Sequence, residues 1–156
     1  MTWQEIIEDI LESEGGLTVD HAGVTNFGIS VAGSGLSAET IKAMNRDDAI
    51  AWYTKEYYLK LKKIPPHLLY IACDFSINAG IRTAIRSIQK ACNHFLDDCN
   101  IAEDGLIGPN TIQWSSKLKV GQYRQFRSDH YEYLIANNPD KYQKFAKGWR
   151  RRIARV

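Results

Sequence analysis

MTWQEIIEDILESEGG (residues 1–16) followed by LTVDHAGVTNFGIS (17–30) is the stretch on which the fold turns. Trp3, Ile6, Ile7, Ile10 and Leu11 recur at the i, i+3, i+4, i+7, i+8 spacing of one helix face. Thr2 stands as the N-cap of that helix and Glu5, three residues on, as its capping-box partner. Gly15-Gly16 then stops it. Six of the eleven glycines fall between positions 15 and 35, so the chain that follows must be loop or short strand. Val24 to Ile29, with Phe27 inside it, supplies a small hairpin.

Outward from there the pattern is helical. Helices are expected after Ser37 and after Asn45, the second with Asp47 and Asp48 in its first turn and a face of Ile50, Tyr53, Tyr57, Tyr58 and Leu61. Pro65-Pro66 interrupts this run, and LLYIACDFSINAG (68–80) is apolar almost all round, the mark of a buried helix. Ile81, Ile85, Ile88, Ala91, Cys92 and Phe95 continue the pattern in the next helix. DGLIGPNT (104–111) turns at Asp104-Gly105 and starts a helix at Pro109, a residue favoured at the first helical position. Val120 to Ala136 reads as one further helix, and Asn138-Pro139 opens a last, basic one. The expectation is a mainly α chain (α+β) with a minor β element near its N-terminus.

Composition bounds what such a chain can be. With 156 residues, 44% hydrophobic and 24% charged, it has the proportions of a globular domain, and disordered, collagen-like and disulfide-scaffold readings fall away. A chain of that length buries roughly 70% of its unfolded surface without staples. Residues 21–38 form the longest stretch without Asp, Glu, Lys or Arg, but glycine, serine and asparagine make it no spanning helix. The acidic, amphipathic opening does not read as a signal peptide, so synthesis in the cytoplasm is expected. Cys73, Cys92 and Cys99 have no metal-ligand spacing, and neither metal nor cofactor is expected. The net charge of +2 hides a polarity: Glu5, Glu8, Asp9, Glu12, Glu14 and Asp20 have no basic residue among them, whereas the final sixteen positions hold seven Lys and Arg and no acid.

One group of residues suggests chemistry. Glu14 ends the first helix, where the negative end of the helix dipole favours a protonated carboxyl. An acid that keeps its proton suits cleavage of a glycosidic bond, because the leaving oxygen must be protonated as the bond breaks. If the glycine-rich segment folds back, Asp20 and Thr25 come across from Glu14; a second carboxylate can stabilise the transition state or activate water, and a hydroxyl can orient that water. From position alone, Glu14 reads first as a solvated helix carboxylate, and Asp20 as a loop residue. Asp74 and Asn78 lie four apart on one face of an apolar helix and need partners there; the Asn78 amide also has the donor and acceptor to read an N-acetyl group.

Five segments in order resemble the glycoside hydrolase family 108 muramidases, peptidoglycan-cleaving endolysins of phages and prophages. They are ILESEGG (10–16), VTNFGIS (24–30), IPPHLLYIACDFSINAG (64–80), DGLIGPNT (104–111) and FAKGWRRRI (145–153). The resemblance implies a lysozyme-like helical fold with residues 1–90 as catalytic lobe and 91–156 as a peptidoglycan-associated region packed on it. It implies Glu14 as general acid with Thr25 and Asp20 as its catalytic partners; Asn26, Phe27 and Asn78 are the candidate substrate contacts. Here the chain between EGG and Thr25 is shorter than the family's and lacks its proline, which leaves Asp20 open between catalytic partner and loop residue.

The implied activity is hydrolysis of the β-1,4 bond between N-acetylmuramic acid and N-acetylglucosamine by a monomer made in the host cytoplasm. It would leave through a holin-type pore and act in the periplasm or cell wall. Arg150, Arg151 and Arg152 are candidates for contact with an anionic envelope, so removal of residues 148–156 is expected to weaken lysis of whole cells. The competing readings are a lytic transglycosylase, a secretion-associated muramidase, and a non-catalytic module that binds envelope or nucleic acid through the basic end. The last is disfavoured because the basic run is confined to one end and no nucleic-acid motif accompanies it.

Overall fold

The computed structural model describes all 156 residues, which divide into two compact units, Met1–Lys60 and Leu61–Val156. In the first unit, α1 (Trp3–Glu14) forms with the expected capping box: Thr2 Oγ1 accepts from Glu5 N, and Glu5 Oε2 accepts from Thr2 N at 2.6 Å. Its buried face is Ile6, Ile7, Ile10 and Leu11. The expected hairpin is a three-stranded antiparallel sheet in the order β1 (Thr18–Asp20), β2 (Gly23–Asn26), β3 (Ile29–Ser30).

After it come the short α2 (Val31–Ser34), α3 (Ala38–Ala43) capped by Ser37, and α4 (Arg46–Tyr53) capped by a reciprocal Asn45–Asp48 box. The helix then departs from the expected pattern. Thr54–Tyr58 is a π-helical turn, closed when Leu59 N donates to Thr54 O, before α5 (Leu59–Leu61). Trp3 fastens this turn to the start of α1: its ring stacks on Tyr58 at 4.8 Å and its Nε1 donates to Thr54 Oγ1 at 2.9 Å.

The second unit is helical. α6 (Pro66–Ala79) starts at the second proline, and Leu68, Leu69 and every residue from Ile71 to Ser76 is buried. α7 (Ile81–Phe95), α8 (Pro109–Ser115) and α9 (Val120–Asn137) follow, then α10 (Pro139–Tyr142), a 3₁₀ turn at Gln143–Phe145 and α11 (Ala146–Arg155). The functional division expected at residue 90 falls inside α7, which is unbroken; the compact units part between Lys60 and Leu61.

Two buried polar groups organise this unit. Gln89 on α7 holds the DGLIGPNT turn: its Oε1 accepts from Gly105 N at 2.8 Å, and its Nε2 donates to Asp104 Oδ1, Leu106 O and Thr111 Oγ1 at 2.9–3.0 Å. Asp74 on α6 is wholly buried and paired with Arg127 of α9, itself wholly buried. Arg152 of α11 adds contacts at 2.8 and 2.9 Å, so one carboxylate ties three helices together.

Candidate active site

In the first unit Glu14 and Phe27 meet at a two-residue turn. Asn26 pairs with Ile29, so Phe27 and Gly28 form the hairpin tip, at φ 51° and 76°. Positive φ at both central positions is what a type I′ turn demands, and it matches the twist of the flanking strands. Glycine takes that conformation freely; phenylalanine does not.

Gly28 is also required by its neighbours. A Cβ at that position would stand 2.7 Å from Glu14 Oε2, 3.0 Å from Glu14 Cβ and 2.9 Å from Tyr53 Oη. The half-buried Glu14 carboxyl, at the last residue of α1, therefore lies directly against the turn. Tyr53, on α4, is 1% exposed, and its hydroxyl donates to Phe27 O at 2.8 Å. Tyr57 stacks obliquely on Tyr53 with centroids 5.8 Å apart. Its hydroxyl is held above the usual phenol range, first by burial and then by the negative charges of Glu56 and Glu14.

The sheet sorts the remaining candidates. Thr18 pairs with Thr25 and Asp20 with Gly23, and directly paired residues share a face. Thr25 and Asp20 therefore project from the same side, as diagonal neighbours about 7–8 Å apart at Cα. Thr25 is half-buried and Asp20 exposed. Asp20 Oδ1 accepts from Ala22 N at 2.8 Å and so braces the β1–β2 turn, leaving Oδ2 to meet solvent.

Asn26 faces the opposite side and is 5% exposed; its Nδ2 donates to Ile41 O at 3.0 Å and Met44 O at 3.2 Å. Both of its amide hydrogens thus fasten β2 to the end of α3. Phe27, half-buried at the tip, stays beside Glu14's turn.

In the second unit Asn78 is exposed near the end of α6, with Nδ2 donating to Asp74 O at 3.3 Å. The basic residues are distributed unlike a single charged patch. Arg150 pairs bidentately with Glu132 at 2.8 and 2.9 Å, and Arg152 turns inward to Asp74. Arg151 is exposed.

The sequence pattern missed Tyr53, which it assigned to an apolar face. The signal it carried was its hydroxyl: a buried tyrosine needs a partner for it, and here that partner is the turn. No group of acidic, histidine and cysteine side chains is arranged to hold a metal ion.

Residues 7–80 match the family model described as Glycosyl hydrolase 108. A search of curated proteins finds no match. Among solved structures, the chain is similar to that described as the structure of Brucella abortus SagA, with 24% sequence identity and a TM-score of 0.76. The alignment covers 98% of this chain and 90% of that one, so the likeness of fold runs from end to end.

Proposed function

We propose that the chain, whose residues 7–80 match the glycosyl hydrolase 108 family model, is a lysozyme-like, peptidoglycan-acting glycoside hydrolase, and specifically an N-acetylmuramidase serving as a phage or prophage endolysin. The bond cut is the β-1,4 linkage between N-acetylmuramic acid and N-acetylglucosamine. The observation that supports this reading is the Glu14 carboxyl, fixed at a helix end against the Phe27–Gly28 turn.

Glu14 delivers its proton to the glycosidic oxygen as the bond breaks, which lets the leaving sugar depart as an alcohol. Thr25, on the face of the sheet it shares with Asp20, orients the attacking water. Asp20 Oδ2 accepts a hydrogen bond from that water or stabilises the positive charge that develops on the sugar ring. The Phe27 ring offers a sugar face an apolar platform beside the acid.

Passage to the wall or periplasm through a holin-type pore and action as a monomer are part of the same proposal; no helix is long and apolar enough to cross a membrane. Arg150 and Arg151 make peripheral contact with anionic envelope polymers, while Arg152 serves Asp74.

Glu14→Gln keeps the shape of the side chain and removes the transferable proton. The variant is expected to fold normally and lose clearing of purified peptidoglycan by at least ~100-fold. Clearing at the parental rate overturns the assignment. Mass spectrometry of the parental digest is expected to show reducing N-acetylmuramic acid ends; anhydro ends would replace the hydrolase by a lytic transglycosylase.

A further inference from the structure

Phe27 occupies a position of the turn that suits asparagine, aspartate or glycine, at φ 51°. An aromatic residue held in the left-handed region persists only where its surroundings over-determine it. The group that does so is the Tyr53 hydroxyl, which donates its only proton to Phe27 O at 2.8 Å. The ring that bears this hydroxyl is closely packed. It is 1% exposed, meets Trp52 edge-on at 5.0 Å and lies 5.8 Å from Tyr57. The helix carrying it widens immediately afterwards into the π turn Thr54–Tyr58, a feature frequent at functional sites.

The other side of the same turn carries the acid. Tyr53 Oη and Glu14 Oε2 stand 2.9 and 2.7 Å from the single point that a Cβ on Gly28 would occupy, so phenol and carboxyl flank one glycine. We propose that Tyr53 is a positioning residue for Glu14: its hydroxyl holds the Phe27–Gly28 turn, and the turn holds the carboxyl where the glycosidic oxygen arrives. This rests on Glu14 being the general acid, as above. The Tyr53 hydroxyl donates to Phe27 O, so it acts on Glu14 through the turn.

Tyr53→Phe keeps the buried ring and deletes the oxygen. In the full-length chain on purified peptidoglycan, kcat is expected to fall ~10–100-fold with KM within about twofold, since a small displacement of an acid costs rate more than binding. Thermal unfolding reports that the variant is folded at the assay temperature. In a Glu14→Gln background the same change is expected to leave the residual rate unaltered, which a merely structural tyrosine would not do.

A parental kcat in Tyr53→Phe, or an equal loss in both backgrounds, overturns the proposal. If Glu14→Gln is inactive while Tyr53→Phe is fully active, only the positioning role falls; if Glu14→Gln is fully active, both readings fall. Should Tyr53→Phe unfold, Phe27→Gly relieves the backbone at 27, and Tyr53→Phe with Phe27→Gly is compared with Phe27→Gly alone: a kcat below that of the single variant supports the role and an equal kcat refutes it.

Discussion

Replacing Gly28 by alanine perturbs the site at one atom, and the structure gives both of its effects. The first is conformational: an L residue at φ 76° costs roughly 1–2 kcal/mol. For a chain of this length each kcal/mol lowers the melting temperature by about 2–4 °C, so a fall of ~2–8 °C is expected.

The second effect is steric and local. The new methyl would sit 2.7 Å from Glu14 Oε2 and 3.0 Å from Glu14 Cβ, where ordinary contact begins near 3.4 Å. The whole side chain, not just its tip, must therefore retreat by roughly half an ångström, and a misplacement approaching 1 Å costs up to ~100-fold in rate. A loss of ~10–100-fold in kcat follows.

Gly35→Ala is the matched control, since Gly35 has φ 72° and nothing within 4 Å of its would-be Cβ. It should lose similar stability and no rate. Circular dichroism melts and initial rates of dye release from labelled peptidoglycan measure the two quantities. If Gly28→Ala stays as fast as Gly35→Ala, the Glu14 carboxyl is not held by this turn and the reasoning fails.

Three other outcomes are expected. Asp74→Asn leaves the wholly buried Arg127 without a counter-charge and should cost about 3–5 kcal/mol, visible as a fall of ~6–20 °C in melting temperature; a shift under ~2 °C would contradict the tie between helices. Burial pushes the Cys73 and Cys92 thiols up to about 12, so at pH 8 only the half-buried Cys99 should react with an alkylating agent, counted by intact mass. The same raised values keep their contribution to stability intact below about pH 9; it should decline from there toward pH 12, as the unfolded thiols ionise before the folded ones. Arg150→Gln with Arg151→Gln should slow lysis of whole cells at low salt and lose that effect at high salt. Deleting residues 148–156 is the poorer experiment, because Ile153 and Val156 are buried and Arg152 holds Asp74.

Signals that act within a helical turn were legible in the sequence, because their partners are three or four residues away. Thr2 with Glu5, Asp47 and Asp48 in the first turn after Asn45, and the start at Pro109 are of this kind. The ordered motifs also singled out Glu14 ahead of Gly15-Gly16, and the glycine-rich segment 17–30 as the place for strands.

What tertiary structure decided were partnerships between distant positions. Periodicity says that one face is apolar but not what will cover it, so Tyr53 read as core although its hydroxyl reaches back to Phe27. Asn26 and Thr25 are adjacent in sequence, yet strand pleating sends one to the end of α3 and the other to the face it shares with Asp20. Asp74 needed a counter-charge, and only the fold could supply Arg127 and Arg152 from α9 and α11. The sequence alone thus determined most of the helices, several of their caps and the placing of Glu14 beside the double glycine. The groups that stand against Glu14 were settled by packing, since a hydrogen bond depends on distance through space and not along the chain.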